Sequence, residues 1–423
     1  MSLDATITCL PIGKQWEPAV REQLERVISN LPDGIKLVDL EPAYDEMEVL
    51  GRLANIAESK PALLLLAALH GGSARQIVLA GSKSNLPVVI WCHDEKHSLA
   101  SSALAAEGLR QLGHPYILIH GDCQDELSAA IRAAAAKQRL AEARIGKLGL
   151  THFNLIGTEI NPVTLQRRFG CWVMPLYSYE LRERISKIDA HRIAADIETL
   201  ESHCKVSVDE SVLERTVAMR AVLAEMAKEY RLDAIAIDCW NEIIPEFGVS
   251  PCLGFADGKI IIACEGDIGL AATQIAGEAI SQRLGYVGDF YSFDENTGEA
   301  ILKHCGGFAS LHGLAEPLEI ASLTLPDASG SARTIATCWP ILPEGNATIL
   351  IIHGEQLDRL HISRCKIRQT DFSERMNVHV RIEANAAQFR RKLAGNHYVV
   401  FPGDAVEAWT LWASWSGITV EGD

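Results

Sequence analysis

The feature that most constrains the fold is a series of short, mostly apolar segments in the first 145 residues. Residues 62–69 are an uninterrupted run of Ala and Leu. Comparable runs recur before and after it, at residues 6–10, 35–40, 88–92 and 116–120. They lack the polar alternation of a half-exposed strand, which indicates strands buried on both faces. Helix-forming segments lie between them, at about residues 17–29, 101–112 and 124–143. This alternation predicts a doubly wound α/β domain.

A second α/β unit and a β-rich region are predicted to follow. The second unit contains strand-like segments at residues 148–156, 234–238 and 260–264. Its helices are expected from Asp209 to about residue 230 and from about Asp267 to 284. Beyond about residue 300, helical periodicity fades and β-rich runs appear, at residues 320–325, 347–352, 378–382 and 398–401, with a helix near 387–393. The predicted fold is therefore two doubly wound parallel-sheet domains, at 1–145 and 146–295, followed by a β-rich C-terminal domain at 296–423.

Composition narrows the classes of function. The 423 residues include 55 acidic and 39 basic side chains, so the formal net charge is −16. This balance argues against a general nucleic-acid binder and against docking on anionic lipid. The longest apolar run is far shorter than the roughly 20 residues that cross a bilayer. The N-terminal residues lack a basic and apolar targeting signal, so a cytoplasmic location is expected. The eleven cysteines are odd in number and contain no CxxC pair, so we expect packing thiols in place of disulfides or a zinc ribbon.

Common nucleotide and hydrolase motifs are absent. The chain has no GxxxxGK[ST], no GxGxxG after its first strand, and no GxSxG elbow. The segment Leu69-His70-Gly71-Gly72-Ser73 ends a predicted strand and opens a helix, where an anion or hydroxyl can bind. The alternative is a tight turn that needs glycine, and it is the favoured interpretation.

Carboxylates follow two predicted strands of the second unit. Glu265 and Asp267 come directly after the strand at 260–264, and Glu242 follows the strand at 234–238. Ligands bind at this edge of an open α/β sheet, so these side chains can converge. Carboxylates combined with histidine favour a cation such as Mn²⁺ or Mg²⁺ over a thiolate zinc site. The alternative is that Glu265 and Asp267 only cap the following helix.

Several short motifs in this region resemble those of a known enzyme family. They are Cys264-Glu265-Gly266-Asp267, the preceding Pro251-Cys252, the following His304-Cys305-Gly306, and the C-terminal Ala394-Gly395-Asn396-His397-Tyr398. Together with the order of domains, they resemble the L-fucose isomerase/L-arabinose isomerase superfamily, and in particular its shorter, fucose isomerase-like members. The resemblance implies a ketol isomerase that interconverts aldoses and ketoses through a cis-enediol, with a divalent metal ion, usually Mn²⁺, with Mg²⁺ or Co²⁺ as alternatives.

The resemblance also implies roles for particular residues. The first metal and catalytic carboxylate falls on Glu242, with Glu246 or Asp238 as alternatives. The second falls on either Glu265 or Asp267, because the two branches of the family differ here. The resemblance adds two histidines to the implied metal ligands. The distal histidine of the family falls on His397, and a further ligand of the arabinose branch falls on His304.

Further residues are candidates for contacts with substrate and with a neighbouring subunit. Side chains that could bind sugar hydroxyls lie near these motifs, at Trp240, Asn241, Asn296 and Asn396. An asparagine near a turn is more often a turn residue than a ligand. The resemblance implies a homotrimer or homohexamer in which a neighbouring N-terminal domain completes the site. The candidate segments for that role are His93-Asp94-Glu95 and Ser101-Ser102, and an ordinary surface loop is the alternative.

The function expected from the sequence is therefore a metal-dependent isomerase of a pentose, deoxyhexose or related sugar, with a small-molecule sugar and no nucleic acid or membrane as partner. One alternative is a non-catalytic sugar-binding or regulatory protein on the same scaffold. Another is a lyase or epimerase that uses enediolate chemistry. A convergent set of carboxylates and histidines would favour the enzymes over the binding protein.

Overall fold

The structure is a computed structural model that describes residues 5–29, 31, 34–157, 159–256, 260–315, 317–326 and 330–422, with residues 57, 58 and 254–256 described by their backbone alone. The chain divides into two compact units. The first comprises Met1–Gln138 and Glu407–Gly417, and the second comprises Arg139–Val406 and Ile418–Asp423. The domain boundaries predicted at residues 145 and 295 stay a prediction.

The first unit contains a parallel sheet of five strands in the order β2-β1-β3-β4-β5. Its strands are β1 (Ala5–Ile12), β2 (Ile35–Asp39), β3 (Leu63–Ala68), β4 (Val88–Cys92) and β5 (Tyr116–His120). Its helices are α1 (Pro18–Ser29), α2 (Glu46–Ala54), α3 (Ala74–Ser84), α4 (Ser98–Gln111), most of α5 (Gln124–Glu142), and the C-terminal α13 (Val406–Trp415). Every residue of β3 and β4 is buried, as expected for central strands covered by helices on both faces. The prediction of a parallel α/β sheet is confirmed here.

The second unit begins with a parallel sheet of four strands in the order β10-β9-β6-β7. Its strands are β6 (Arg144–Leu148), β7 (Trp172–Leu176), β9 (Ala234–Ile237) and β10 (Ile261–Ala263). The helices in this part of the chain are α6 (Pro162–Phe169), α7 (Ser178–Ser186), α8 (Ala190–His203), α9 (Glu210–Tyr230), α10 (Ile244–Phe247) and α11 (Ile268–Ser281). Helix α11 is apolar on all sides and buried along most of its length, so its N-terminus is held firmly at the end of β10.

The β-rich part of the second unit is a closed antiparallel barrel. Its strands are β11 (Tyr286–Phe293), β12 (Glu299–His304), β15 (Gly345–His353), β16 (Arg359–Asp371), β17 (Met376–Ile382) and β18 (Tyr398–Pro402). They pair in the order β15-β18-β11-β12-β17-β16, and pairing of β15 with β16 closes the ring. Strand β19 (Thr419–Gly422) adds to β16 in parallel. The short helix α12 (Ala386–Arg391) precedes β18. The predicted β-rich C-terminal region is confirmed.

A smaller sheet accompanies the barrel. It has three strands in the order β14-β13-β8, which are β8 (Cys204–Ser207), β13 (Leu318–Pro326) and β14 (Ala332–Trp339). None of the helices among the described residues is long and apolar enough to span a bilayer.

The strand predicted at residues 148–156 is wrong. Strand β6 ends at Leu148, and Gly149 follows with a φ of +80°, in the left-handed region that strands do not use. A Cβ at position 149 would lie 2.4 Å from Oε2 of Glu242, so the backbone approaches that side chain closely. Three of the apolar residues that suggested a strand face solvent, since Leu150 is 73% exposed, Phe153 is 69% exposed and Ile156 is 90% exposed. The segment is therefore a loop at the carboxyl edge of the sheet.

Candidate metal centre

Glu265 lies in a strained turn directly after β10. Its backbone has a φ of +59°, which is uncommon for a residue other than glycine, and Gly266 follows with a φ of +71°. A Cβ on Gly266 would lie 2.1 Å from the carbonyl oxygen of Leu150. Only glycine at position 266 therefore lets the 149–157 loop approach this turn. Backbone strain of this kind persists where surrounding structure enforces it and is common at functional sites.

Asp267 has both carboxylate oxygens engaged. Its Oδ1 accepts a hydrogen bond of 2.9 Å from the backbone N–H of Leu270, which caps helix α11. Its Oδ2 lies 3.1 Å from Nδ1 of His397. The cap that the sequence suggested as an alternative role is present, and the same carboxylate also orients a histidine.

Two buried histidines meet Glu265 from neighbouring parts of the barrel. His304 is the last residue of β12, and His397 directly precedes β18. Nε2 of His397 lies 3.7 Å from Oε2 of Glu265. Of the described residues, only Glu265, His304 and His397 form a group whose ligand atoms all lie within 4.8 Å of one another. His304 is 6% exposed and His397 is 2% exposed, so water has little access to either ring.

Electrostatics in this group differ from those of exposed side chains. Burial raises the pKa of Glu265, against the lowering effect of His397 and His152. Burial lowers the pKa of His304 to about 4, so its ring is neutral at pH 7. Burial also acts to lower the pKa of His397, but its hydrogen bond to Asp267 and the charges of Asp267 and Glu265 outweigh burial and raise that pKa to about 9.

This donor set fits a divalent metal ion. Nδ1 of His304 and Nε2 of His397 are both buried and have no hydrogen-bond partner in the described part of the chain. A buried nitrogen without a hydrogen-bond partner needs a physical explanation, and a bound ion is one such explanation. His397 donates from Nδ1 to a carboxylate, which leaves Nε2 as the coordinating atom, a pattern common among metal-bound histidines. Two imidazole nitrogens with one carboxylate suit a borderline cation such as Mn²⁺.

The first carboxylate predicted from the resemblance lies outside that group. Glu242 belongs to a π-helical turn, Cys239–Ile243, after β9, and it lines an open cleft with Lys147 and Tyr177. Of its alternatives, Asp238 is buried and accepts a hydrogen bond from the backbone N–H of Asn241. Glu246 forms a surface ion pair with Arg182. The turn therefore brings Glu242 to the carboxyl edge of the sheet, outside the group formed by Glu265, His304 and His397.

The predicted sugar-contacting residues are placed differently from one another. Trp240 lies beside the ring of His152, with centroids 6.4 Å apart, and Asn396 directly precedes His397. Asn241 uses its side chain on Asp238, at 3.4 Å.

Asn296 is in the β11–β12 turn, where its backbone N–H and side chain bond Asp294. His304 lies at the other end of β12, and a role for Asn296 in binding substrate stays a prediction. Asn296 acts as a turn residue, the alternative that the sequence left open.

Sequence analysis missed two residues that border the centre. His152 follows β6 in the 149–157 loop, and its Nδ1 lies 3.9 Å from Oε2 of Glu265. Asp289 is on β11 beside β12, and its charge raises the pKa of Glu265 and of His397. Its Oδ1 is buried without a partner among the described residues. His152 was hidden by the assignment of its segment to a strand, and Asp289 has no motif around it.

The segments proposed to meet a neighbouring subunit are ordered within the first unit. His93 is buried, and its backbone N–H donates a hydrogen bond of 3.3 Å to Oγ of Ser98. Oγ of Ser101 lies 3.1 Å from Oγ of Ser73, at the N-terminus of α3. The contribution of these segments to a site on another copy stays a prediction. All eleven cysteines are free thiols, and most are buried.

Comparison with known proteins supports a sugar isomerase. No family model matches the chain. A protein of Alkalicoccus urumqiensis named sulfoquinovose isomerase is 23% identical over 330 residues, which cover 72% of this chain and 73% of that protein. A protein of Priestia aryabhattai with the same name is 22% identical over 249 residues, which cover 55% of each chain. The chain is thus similar to proteins named as sugar isomerases, while membership in the fucose/arabinose superfamily stays a prediction.

Among solved structures, a periplasmic sugar-binding protein of a Legionella pneumophila ABC transporter aligns with 66% of this chain and 97% of its own. The sequence identity is 10% and the TM-score is 0.19, a value too low to indicate a shared fold.

Proposed function

We propose that this protein is a divalent-metal-dependent aldose–ketose isomerase that uses Mn²⁺ and a small free sugar as substrate. The observation that carries the proposal is the convergence of Glu265, His304 and His397, from three separate elements, with two buried imidazole nitrogens lacking partners. The similarity to two proteins named sulfoquinovose isomerase supports the same reaction type. Mg²⁺ and Co²⁺ are the alternative ions.

The reaction is a proton transfer between neighbouring carbons. The proton on C2 of the aldose is removed, a cis-enediol forms, and the proton returns to C1 as the hydroxyl proton passes from O2 to O1, so the sugar keeps its composition. A bound divalent ion would polarise the carbonyl and stabilise negative charge on the two oxygens. A positioned carboxylate performs the carbon-to-carbon transfer.

Each residue of the centre then has a distinct role. Glu265, His304 and His397 would hold the ion, and Asp267 holds the ring of His397 in the tautomer that coordination requires. Glu242 is the proposed proton carrier, because it lies at the same edge of the sheet and is not engaged with either histidine. Of the two acids in Glu265-Gly266-Asp267, we propose Glu265 as the metal ligand, because both carboxylate oxygens of Asp267 already take part in hydrogen bonds.

The substrate is proposed to be a hexose or pentose with free C1 and C2. Sulfoquinovose is the first sugar to test, because the two relatives carry its name. Pentoses and deoxyhexoses are the next. Buried polar contacts decide among such sugars, since a site built to bond one hydroxyl rejects an analogue that lacks it.

The test compares Glu265→Gln with Glu198→Gln, an exposed glutamate on α8. Metal-free protein is titrated with Mn²⁺ by calorimetry, and ketose formation from each sugar is followed with and without the ion. We expect wild type and Glu198→Gln to bind Mn²⁺ and convert at least one sugar. Glu265→Gln should lose at least tenfold in Mn²⁺ affinity and lose turnover. A wild-type protein that binds a sugar, does not bind Mn²⁺ and converts no sugar would instead be a sugar-binding protein.

A further inference from the structure

His152 is a buried polar side chain with no assigned partner for one of its nitrogens. It lies in the 149–157 loop, and its backbone N–H donates a hydrogen bond of 2.9 Å to the carbonyl oxygen of Glu265. The side chain is 8% exposed. Its ring stacks on Phe153, with centroids 4.6 Å apart, and meets the edge of Trp240. The ring is thus held in place beside the metal centre by one backbone bond and two aromatic neighbours.

The hydrogen bonds of this ring leave one donor unused. Nδ1 accepts from the backbone N–H of Asn154 at 3.3 Å. An accepting Nδ1 places the proton of a neutral imidazole on Nε2. Nε2 is buried and has no hydrogen-bond partner among the described residues. A buried N–H without an acceptor is unfavourable, so the site is built for an oxygen that the protein alone does not supply.

His152 is not needed to complete the metal centre. The group whose ligand atoms lie within 4.8 Å of one another contains Glu265, His304 and His397 but not His152. Its Nδ1 is 3.9 Å from Oε2 of Glu265 and already accepts a hydrogen bond, so that atom has no free lone pair for a cation. The free group is therefore a donor, and a donor beside a metal-bound sugar meets hydroxyl or carbonyl oxygens.

We infer that Nε2 of His152 donates a hydrogen bond to an oxygen of the sugar bound at the Glu265–His304–His397 centre, which makes His152 a substrate-contacting residue. The inference rests on the proposed function. The contact is a source of substrate specificity, since a sugar that presents no oxygen at this position leaves the buried donor unpaired. Negative charge that develops on that oxygen during enolisation strengthens the bond, so the contact also favours turnover.

The test uses His152→Phe, which keeps an aromatic ring and removes the donor, and His152→Gln, whose amide N–H reaches a position similar to that of Nε2. His191→Phe is the matched control, because His191 is exposed on α8. Circular dichroism and the melting temperature show whether each variant folds. Mn²⁺ binding to metal-free protein is measured by calorimetry, and kcat and KM are measured with sulfoquinovose and with the neutral sugars that wild type converts.

We expect His152→Phe to bind Mn²⁺ within threefold of wild type and to lose about 100-fold in kcat/KM, the typical cost of one donor to a developing oxyanion. His152→Gln should recover most of this loss, and His191→Phe should match wild type. Unchanged kcat/KM in His152→Phe would overturn the inference, because turnover would then not depend on the donor that the variant lacks. A parallel loss of Mn²⁺ affinity would overturn it too, since His152 would then support the metal centre.

Failure of the proposed function gives a different result. Wild type would then bind Mn²⁺ and convert no sugar. In that case, binding of sulfoquinovose to Mn²⁺-loaded wild type and His152→Phe is compared by calorimetry. Tighter sugar binding by wild type than by His152→Phe would support the contact of His152 with the sugar even though the isomerase reaction is absent. Equal binding, or none by either protein, overturns the contact as well.

Discussion

At the scale of single residues, the hydrogen bond between Asp267 and His397 decides what the histidine can do. Asp267 caps α11 through Oδ1 and accepts from Nδ1 of His397 through Oδ2. The ring therefore points Nε2 toward Glu265. A cation bound at Nε2 would take the place of the proton on that nitrogen. Partners of this kind fix the tautomer of a metal-binding histidine and raise its basicity. The Glu265–Asp267 alternative is resolved in our proposal by this pair of contacts.

Replacement of Asp267 by Asn tests that pairing. Asn caps a helix about as well as Asp, so the melting temperature should change little. The Asn amide can instead donate to Nδ1 of His397, which moves the ring proton to Nε2 and blocks coordination. We expect Mn²⁺ affinity to fall about 10- to 100-fold, measured by calorimetry. Asp209→Asn is the control, because Asp209 precedes α9 without a side-chain cap bond. Equal affinity in both variants would exclude the orienting role.

At the scale of elements, the turn between β10 and α11 brings a loop and a ligand together. Two successive residues, Glu265 and Gly266, have positive φ. The carbonyl oxygen of Leu150 lies so close to Gly266 that there is no room for a side chain at position 266. The backbone bond from His152 to Glu265 lies in the same place. A change at Gly266 should therefore disturb both the metal centre and the 149–157 loop.

Gly266→Ala measures this close approach. Gly157 is the matched control, because it has a φ of +86° and a Cβ there would meet no atom within 4 Å. Ala in the left-handed region costs about 1–2 kcal/mol at either position. At position 266 the loop must also move, so we expect a loss of unfolding free energy about 2 kcal/mol greater than for Gly157→Ala. Urea denaturation provides the measurement, and equal losses would show that the loop adapts freely.

At the scale of the whole molecule, buried neutral histidines make stability depend on pH. His361 on β16 is 1% exposed and bonds the hydroxyl of Tyr398 through Nδ1 at 2.6 Å. Burial, with the nearby charges of His353 and Lys392, lowers the pKa of His361 to about 4. The unfolded chain has a pKa near 6.5, so between these values the unfolded state binds more protons. Stability contributed by the neutral ring is full above pH 6.5 and is lost as pH falls toward 4.

We therefore expect His361→Gln to flatten the acid side of the stability profile. Across that window the native ring contributes a slope of up to about 1.4 kcal/mol per pH unit. Urea unfolding of metal-free protein at several values between pH 4 and 7 measures the slope for each variant. His191→Gln, an exposed replacement on α8, should keep the wild-type profile. An unchanged slope in His361→Gln would show that its proton uptake is not linked to unfolding.

The assembly and location of the protein stay predictions. The resemblance implies a homotrimer or homohexamer, and the described part of the chain presents apolar side chains at Leu150, Phe153 and Ile156 that are each at least 69% exposed. Exposed apolar side chains grouped along one segment are typical of interaction surfaces. A cytoplasmic location is likewise expected from the sequence only.

Sequence alone determined the order of secondary structure wherever burial is uniform. Strand β4 matches the predicted residues 88–92, because a central parallel strand is buried and apolar along its whole length. Motif resemblance also selected Glu265, Asp267, His304 and His397 before any geometry was known. The loop at 149–157 escaped prediction because periodicity does not register the positive φ of Gly149 or the solvent exposure of Leu150.

Only the tertiary structure decided which of these groups meet and what each one does. His304 and His397 are 93 positions apart in the numbering, yet barrel strands β12 and β18 flank β11 and carry them to one side of Glu265. The division of roles between Glu265 and Asp267 depends on two hydrogen bonds that no local pattern encodes. The orphaned nitrogen of His152 depends on burial by distant residues. Contacts across long stretches of chain are set by packing, and packing is a property of the folded molecule.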